Sequence, residues 1–318
     1  MQNHKIIVIL GQTSTGKSNF AVEIAKKING LNQSKRLIAR TSRSEVLGEI
    51  ISADSRQVYK GMNLGTGKIT KKEMKKVPHY LLDVTSPSKV FSVSDFQKLA
   101  NKKIEEITKK GKVPIICGGT GFYIDAIVDG TIFPEVPPNK KLRDELSKKT
   151  TGKLFEILKK LDNNRARNID PKNRVKLIRA IEIVKALGKV PLVNTIKNKF
   201  DVLKIGLTLP PKILKERIKA RLFYRIKKGM IKEIENLHEK GLSWKRMNNL
   251  GLEYRYVALY LQKKITKEEM IKKLNTEIWH FAKRQKTWFK RDSNTIWIDP
   301  RYKSEKLKAQ KEIKKFLK

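Results

Sequence analysis

Apolar runs alternate with amphipathic segments in the first part of the chain. Lys5–Leu10 and Val113–Cys117 are almost continuously apolar, which is typical of strands buried on both faces of a parallel sheet. Glu49–Ser52 and Tyr80–Val84 are shorter strand candidates, and Val93–Lys109 carries its apolar residues at helical spacing. Strands that alternate with helices predict an α/β fold built on a doubly wound parallel sheet.

The pattern becomes mainly helical in the second part of the chain. Residues 139–190 are charged and contain no strand candidate, whereas Asp201–Leu209 and Thr295–Ile298 are predicted strands. Asp170–Pro171 and Pro210–Pro211 are typical of helix starts. The tail, residues 302–318, is predicted to be a basic amphipathic helix or disordered. The sequence thus predicts a core of residues 1–130 and 200–318, interrupted by a helical insertion at residues 131–199.

The first apolar run ends in GQTSTGKS, which fits the phosphate-binding P-loop pattern G-x-x-x-x-G-K-[ST]. Apolar residues at helical spacing follow it, so the motif lies between a strand and a helix and favours a P-loop NTPase-like sheet. The backbone N–H groups would hold phosphate oxygens, Lys17 would neutralise their charge and Ser18 would bind Mg²⁺. The predicted phosphate-binding residues of this loop are Gly11, Thr13, Ser14, Thr15, Gly16, Lys17 and Ser18.

Two further polar segments follow predicted strands. SADSRQ comes after the second strand and GGTGFY after the fourth, and the carboxyl ends of parallel strands form one crevice. Asp54 could accept a proton from a nucleophile. It could equally cap a helix N-terminus or be a carboxylate that hydrogen-bonds to the ligands of a metal ion. Thr120 lies where glycines let a ligand approach the backbone, although a structural hydroxyl in a tight turn explains it as well.

Composition points to a polyanionic partner. The 318 residues include 72 Lys and Arg against 31 Asp and Glu, a net charge of +41, which favours nucleic acid as the partner, while a lysine-rich compositional bias explains part of the surplus. Ala282–Arg291 interleaves cations with aromatic residues, which suits phosphate contacts and base stacking, with Trp288 and Phe289 also candidates for the core. The single cysteine, Cys117, excludes a disulfide framework and favours a reducing cytoplasm. No run is long enough to span a membrane.

Six motifs occur in an order that resembles one family. They are GQTSTGKS, IISADSRQVYKGMNLGTGK, VPHYLLDV, GGTGFYI, RAIEI and AKRQKTWFKRD. Together they resemble the tRNA dimethylallyltransferases, or tRNA isopentenyltransferases, and the resemblance covers nearly the whole chain. The resemblance is to the bacterial type, because eukaryotic members carry a C-terminal zinc finger and this sequence shows no such pattern. This sequence departs from the family pattern at Gly251–Arg255, at Ile278–Phe281 and at Lys176, where the family has arginine.

The resemblance implies a specific reaction. Family members transfer a dimethylallyl group from dimethylallyl diphosphate to N6 of the adenine on the 3′ side of the anticodon of tRNA, giving N6-isopentenyladenosine. The P-loop would then hold the departing diphosphate with Mg²⁺, and binding of a nucleoside triphosphate such as ATP stays an open alternative. The expected partner is a tRNA anticodon stem-loop, gripped by the insertion, and the expected protein is a cytoplasmic monomer. The basic segment 31–48 is either an extra RNA-contacting loop or tolerated surface.

Residue roles also follow from the resemblance. Asp54 matches the carboxylate that orients and deprotonates the adenine amine, and Thr120 matches a threonine near the reacting centre. Arg217 and Arg221, one helical turn apart, would face the diphosphate or the RNA. The residues expected to contact tRNA are Asp54, Ser55, Arg56, Gln57, Thr120, Arg143, Lys176, Arg179, Lys283, Arg284 and Gln285.

Two other functions fit parts of the pattern. A P-loop kinase acting on a nucleoside or small metabolite would explain GQTSTGKS but not the charge. A non-catalytic RNA-binding protein with a relic P-loop would explain the charge but not the two polar segments beside the loop. Formation of a prenylated nucleoside separates the transferase from both alternatives.

Overall fold

The computed structural model describes residues 4–31, 48–191 and 200–318. The chain forms two compact units, Met1–Asp129 with Asn198–Lys318, and Gly130–Lys197. The basic segment 31–48, considered above as an RNA-contacting loop, lies outside the described residues except at its two ends. None of the helices in the described ranges is long and apolar enough to cross a membrane.

Within the described residues, the first unit is built on a six-stranded parallel sheet with the strand order β3-β2-β4-β1-β5-β6. Side chains alternate between its faces, so that Ile7 and Ile9 join one apolar core while Ile6 and Val8 join the other. The predicted α/β fold with a parallel sheet is confirmed. The strands are β1 (His4–Gly11), β2 (Gly48–Ala53), β3 (His79–Tyr80), β4 (Val113–Gly118), β5 (Phe200–Leu207) and β6 (Ile296–Ile298).

Helices cover both faces of this sheet and form the whole of the regular structure described in the second unit. In chain order they are α1 (Lys17–Leu31), α2 (Lys71–Met74), α3 (Val93–Lys109), α4 (Gly121–Val128), α5 (Lys140–Leu146), α6 (Thr151–Leu161), α7 (Asn163–Arg167), α8 (Arg174–Leu187), α9 (Pro211–Lys227), α10 (Met230–Glu239), α11 (Trp244–Leu250), α12 (Leu252–Leu261), α13 (Lys267–Phe289) and α14 (Lys303–Leu317).

The predicted strand Tyr80–Val84 is wrong beyond its first residue. β3 ends at Tyr80 because Leu81 and Asp83 adopt left-handed backbone conformations, with φ of +61° and +56°. The apolar character of this segment serves burial instead, since Leu81 packs into a core beside the sheet.

Helix starts were predicted with mixed success. α9 begins at Pro211, as the Pro210–Pro211 pair predicts. α8 begins three residues later than expected, at Arg174, because the side chain of Asn173 caps it by accepting a hydrogen bond from the Lys176 N–H at 3.1 Å. Asp170 instead accepts a hydrogen bond from the Lys172 N–H and closes a turn before the helix.

The C-terminal half of the first unit has a helical core of its own. Residues from α9 to α13 pack around the fully buried Tyr254 and Met270, and Val58 and Met62 join them from the segment after β2. The tail is helical: α14 buries Ala309 and other apolar residues against the α1 face of the sheet. The second unit has a separate core in which α6 packs on α8 through Leu154, Leu158, Leu177 and Ile181.

The sheet register brings three loops to one level. Leu10 of β1 and Ala53 of β2 both pair with Gly118 of β4, so these strands end side by side. β1 and β4 are neighbours in the sheet, but the chain leaves β1 towards β2 on one side and leaves β4 towards β5 on the other. The gap between β1 and β4 is therefore the point where the direction of the connections reverses. Ligands of open α/β sheets bind at such a point.

Candidate active site

A cleft of about 1080 Å³ opens above the carboxyl ends of β1, β2 and β4. Its walls come from the three loops that follow these strands, from the segment 63–70, and from α9, α12 and α13. Most of the residues predicted at the site meet there: Thr13, Ser14, Gly16, Lys17, Ser18, Asp54, Ser55, Arg56, Gln57, Thr120, Arg217, Arg221, Arg284 and Gln285.

The P-loop has the backbone that its glycines predict. Gly11 has φ of +140°, and a Cβ there would lie 2.3 Å from the carbonyl oxygen of Leu207, so only glycine fits. Gly16 has φ of +93° at the entry to α1. Thr15 is fully buried and donates a hydrogen bond to the Gln12 carbonyl at 2.8 Å, which holds the loop from within rather than facing a ligand.

The Lys17 ammonium is folded back over its own loop. Nζ donates to the Gln12 carbonyl oxygen at 2.6 Å. The pKa of Lys17 is lowered to about 8, chiefly by burial; the Arg221 cation also lowers it, while Cys117 and Asp54 act in the opposite direction. Lys17 is half-buried and forms no ion pair with the described residues, so it favours an anionic ligand, because a phosphate would supply the negative charge that the site lacks.

Asp54 has one oxygen engaged and one open. Oδ1 accepts hydrogen bonds from the N–H groups of Arg56 at 2.8 Å and Gln57 at 3.2 Å, which shape the turn after β2. Oδ2 accepts no hydrogen bond from the described part of the chain. The carboxylate thus combines the two roles that the sequence left open: it caps a turn, and its second oxygen is available to a ligand in the cleft.

Thr120 faces the Asp54 loop. It precedes α4 but makes no capping bond to that helix; its Oγ1 accepts a hydrogen bond from the Ser55 N–H at 3.0 Å and lies 3.4 Å from the Ser55 hydroxyl. Its own N–H bonds the Ala53 carbonyl. The loops after β2 and β4 are therefore joined by this threonine, which is both the structural hydroxyl and a lining residue of the cleft.

Gln285 has a role that sequence reasoning missed. It was predicted to contact tRNA, yet it is buried, and its Oε1 accepts a hydrogen bond from the Thr13 N–H at 2.7 Å while its Nε2 donates to the Gly119 carbonyl at 2.9 Å. Both ends of the amide are used within the protein. Gln285 thus ties α13 to the P-loop and to the loop after β4, and its geometry gives it a positioning role.

The segment 63–67 forms another wall and is held by a carboxylate. Glu233, in the first turn of α10, accepts hydrogen bonds from the three consecutive N–H groups of Asn63, Leu64 and Gly65 at 3.0, 2.7 and 3.0 Å. Arg225 holds the same segment from the other side by donating to the Gly65 carbonyl at 2.9 Å. No local motif marks Glu233, because its partners lie far away in the sequence.

Arg221 links this wall to the P-loop. One guanidinium nitrogen donates to the Gly67 carbonyl at 3.0 Å and the other approaches the Thr13 hydroxyl at 3.4 Å. Burial lowers the pKa of Arg221, and the neighbouring Arg225 cation adds to the effect. Arg217 lines the cleft one turn earlier in α9 and is exposed. The two arginines therefore present positive charge to the phosphate-binding loop.

Of the remaining predicted tRNA-contacting residues, two belong to α13. Arg284 lines the cleft, whereas Lys283 is exposed and lies 5.9 Å from the centre of the Trp279 ring. Nearby, Phe289 is buried, and Trp288 is half-buried with its Nε1 donating to Asp125 at 2.9 Å. The basic and aromatic stretch of this helix thus supplies both core and surface.

The other predicted tRNA-contacting residues lie in the second unit. Arg143 forms a two-point hydrogen bond with the buried Glu182, at 2.9 and 2.7 Å, and Arg179 donates to the same carboxylate at 2.6 Å. Burial alone would raise the pKa of Glu182, but these two guanidinium groups overcome it and lower the pKa to about 2. Both arginines keep a third or more of their side chains exposed, and Lys176 is exposed.

The fold and the site define an α/β protein that presents a phosphate-binding loop, a carboxylate and several arginines in one cleft. Residues 57–292 match the family model described as IPP transferase. The chain is 42% identical over 302 residues to tRNA dimethylallyltransferase 2 of Treponema denticola, with 93% of this chain and 95% of the relative covered. It is 38% identical to a tRNA dimethylallyltransferase of Caldicellulosiruptor saccharolyticus, with 94% and 93% covered. The chain therefore belongs to the IPP transferase family.

Solved structures agree with this assignment. The crystal structure of the full-length tRNA isopentenylpyrophosphate transferase from Bacillus halodurans superposes with a TM-score of 0.71 at 32% identity and covers 99% of this chain and 97% of that one. A eukaryotic dimethylallyltransferase acting on tRNA has a TM-score of 0.69 at 24% identity, with 90% and 70% covered, and shares the fold.

Proposed function

We propose that this protein transfers a dimethylallyl group from dimethylallyl diphosphate to N6 of the adenine next to the anticodon on its 3′ side in tRNA. One observation carries the proposal: in a member of this family, the phosphate-binding loop with Lys17 and the open carboxylate oxygen of Asp54 share one cleft. That arrangement suits a diphosphate leaving group and a nucleophile that must lose a proton.

The chemistry is a substitution at carbon. The adenine N6 bonds to C1 of the dimethylallyl group as the bond from C1 to the diphosphate oxygen breaks, and the N6 proton passes to the Asp54 carboxylate. Negative charge builds on the departing diphosphate, where Lys17, Arg221 and the backbone N–H groups of the P-loop stabilise it. The phosphates held by this loop are expelled as a unit.

The residues at the cleft fit a Mg²⁺ ion. Across residues 4–31, 48–191 and 200–318, no group of three or more His, Cys, Asp and Glu could hold a metal on its own. Mg²⁺ characteristically takes only one or two protein oxygens together with phosphate oxygens and water, and the exposed Ser18 hydroxyl supplies an oxygen donor of that kind. When bound, the ion would neutralise diphosphate charge.

The net charge of +41 supports tRNA as the acceptor, because a surplus of cations attracts the phosphate backbone. The helical second unit is the proposed grip on the anticodon stem-loop, with the exposed parts of Arg143, Lys176 and Arg179 as its phosphate contacts. The acceptor adenine must leave its stack to reach Asp54, which an anticodon loop allows more easily than a duplex. We place the protein, as a monomer, in the cytoplasm with its tRNA substrate.

A product assay tests the proposal. Purified protein is incubated with Mg²⁺, dimethylallyl diphosphate and unmodified tRNA, and the digested RNA is measured by nucleoside mass spectrometry. N6-isopentenyladenosine is the expected product, and an RNA whose target adenine is replaced by guanine serves as the control. Hydrolysis of ATP without prenylated nucleoside would instead indicate a P-loop kinase, and tight RNA binding without either product would indicate a non-catalytic binding protein.

A further inference from the structure

One face of α9 carries an unbroken line of cleft residues. Arg217, Arg221, Tyr224 and Lys228 follow each other at intervals of four, three and four positions, which places them along one side of the helix and of the residue that follows it. All four line the cleft. The inner part of this line, at Arg221, touches the P-loop residue Thr13, so the line runs from the phosphate site outward.

Tyr224 stands out on this face as a large aromatic side chain that is mostly exposed. It is 60% exposed, and Nζ of Lys228 lies 5.7 Å from the centre of its ring. The ring therefore contributes little to the core. An exposed aromatic residue by itself is unremarkable, but one that lines a cleft beside a cation has the composition of a nucleobase-stacking site.

The charge of α9 decides the class of partner. Its sequence, PKILKERIKARLFYRIK, contains seven Lys and Arg and a single acidic residue, Glu216. Of the cations in this line, Arg221 contacts the phosphate-binding loop, whereas Lys228 and the ring of Tyr224 lie further along the helix, where RNA offers a phosphate for a cation and a base for a ring. Tyr224 lies one turn of helix beyond Arg221, about 5 Å along the axis, so it suits a base next to the acceptor adenine better than the adenine itself.

We propose that Tyr224 stacks on a nucleobase adjacent to the acceptor adenine and that Lys228 holds the phosphate beside it. This inference rests on the proposed function for the identity of the RNA, but it assigns a base contact and a phosphate contact to residues outside the phosphate-binding loop and the Asp54 turn. The four cleft residues along α9 thereby connect the phosphate-binding loop to the part of the RNA next to the acceptor adenine.

The chain offers a matched control for each residue. Phe223 precedes Tyr224, is 46% exposed and does not line the cleft. Lys227 precedes Lys228, is exposed and likewise lies outside the cleft lining. Substitutions at the two members of each pair change similar side chains on the same turns of the helix, so a difference between them reports the cleft and not the stability of α9.

Binding of a fluorescently labelled anticodon stem-loop RNA to the full chain tests the proposal. Tyr224→Ala is expected to weaken binding about tenfold and Tyr224→Phe to change it less than about twofold, since stacking needs only the ring. Phe223→Ala is expected to leave affinity unchanged. Lys228→Gln should reduce the slope of log affinity against log salt by roughly 0.7 to 1, and Lys227→Gln by less. Equal effects of Tyr224→Ala and Phe223→Ala, or no effect of either, would overturn it.

A double-mutant cycle adds a test that does not depend on the stability of the variants. RNA with an abasic position next to the acceptor adenine should bind the unmodified protein more weakly, and Tyr224→Ala should then cause no additional loss. Losses that simply add would contradict the stacking contact. If the protein forms no prenylated adenosine yet Tyr224→Ala selectively weakens RNA binding, the proposed reaction fails and the RNA contact stands.

Discussion

The side-chain oxygen of Gln285 accepts a hydrogen bond from the backbone N–H of Thr13 at 2.7 Å, across 272 positions of the chain. The same amide donates to the Gly119 carbonyl. One buried side chain near the end of α13 thus sets the spacing between the phosphate-binding loop and the loop that carries Thr120. The two loops lie at the ends of neighbouring strands, but strand pairing stops before them.

Replacing Gln285 separates a positioning role from direct tRNA binding. Gln285→Ala leaves a part-buried N–H and a carbonyl without partners, which costs about 1–3 kcal/mol and loosens the phosphate-binding loop. We expect the KM for dimethylallyl diphosphate to rise and the dissociation constant for tRNA to change little. Lys283→Ala, on the exposed side of the same helix, is the control. A selective loss of tRNA affinity in Gln285→Ala would instead support the contact predicted from the sequence.

The role of Asp54 is best tested by its replacement with asparagine. Asp54→Asn keeps an oxygen for the N–H groups of Arg56 and Gln57 but cannot accept the adenine proton. We expect single-turnover transfer to fall by at least about 10²-fold with tRNA affinity retained. Asp54→Ala removes the turn cap as well and should also lower the melting temperature. Undiminished transfer in Asp54→Asn would rule out the proton-acceptor role.

The Lys17 pKa of about 8 gives a pH dependence with a definite sign. The ammonium is charged below that pH, so kcat/KM for dimethylallyl diphosphate should fall as pH rises through about 8. Lys17→Arg keeps the charge and should lack this decline, although its absolute rate is lower. The unfolded state has the ordinary pKa of 10.5 and binds more protons above pH 8, so the contribution of Lys17 to the free energy of unfolding should rise from pH 8 to 10.5. A profile identical in both proteins would contradict the assignment.

Glu233 is expected to act through the 63–67 segment. In Glu233→Gln the amide nitrogen would face backbone N–H donors, so at least one of the three hydrogen bonds is lost and the segment loosens around Arg221. Amide hydrogen exchange should speed up at residues 63–65, and kcat/KM should fall about tenfold. Glu235→Gln is the matched control, because Glu235 lies in the same helix and, among the described residues, pairs only with the exposed Lys232. Faster exchange throughout α10 would indicate a general loss of structure instead.

The lowered pKa of Glu182 makes the stability of the second unit depend on pH. Its pKa of about 2 lies below the ordinary 4.5, so its stabilising contribution is complete above pH 4.5 and is lost as pH falls towards 2. Glu182→Gln should lower the free energy of unfolding by about 2 kcal/mol at neutral pH. Urea unfolding at pH 7 and pH 3 should show a smaller pH effect in the variant than in the unmodified protein. Glu145→Gln, at an exposed position of α5, should match the unmodified protein at both pH values.

The local sequence predicts much of the cleft because its parts are short and follow strands. GQTSTGKS, SADSRQ and GGTGFY are each recognisable from a few adjacent residues, and their convergence follows from the geometry of a parallel sheet. The predicted strand Tyr80–Val84 was too long, because apolar residues beyond Tyr80 are buried without pairing to a neighbouring strand. The period of the apolar pattern does not distinguish these two cases. Arg143 and Arg179 are a polar example of the same limit on prediction. Both pair with Glu182, but nothing in the sequence distinguishes a paired arginine from any other basic residue.

The parallel sheet, the position of the phosphate-binding loop and the family to which the motifs belong were all predictable from the sequence, since each depends on the spacing of a few neighbouring residues. The roles of Gln285, which joins two loops, and of Glu233, which holds the segment 63–65, became visible in the folded protein, as did the exposure of Tyr224 at the cleft and the burial of Phe289. One cause accounts for all of these. A polar or aromatic side chain on a helix takes its role from the partner that packing brings to it, and those partners come from distant parts of the chain.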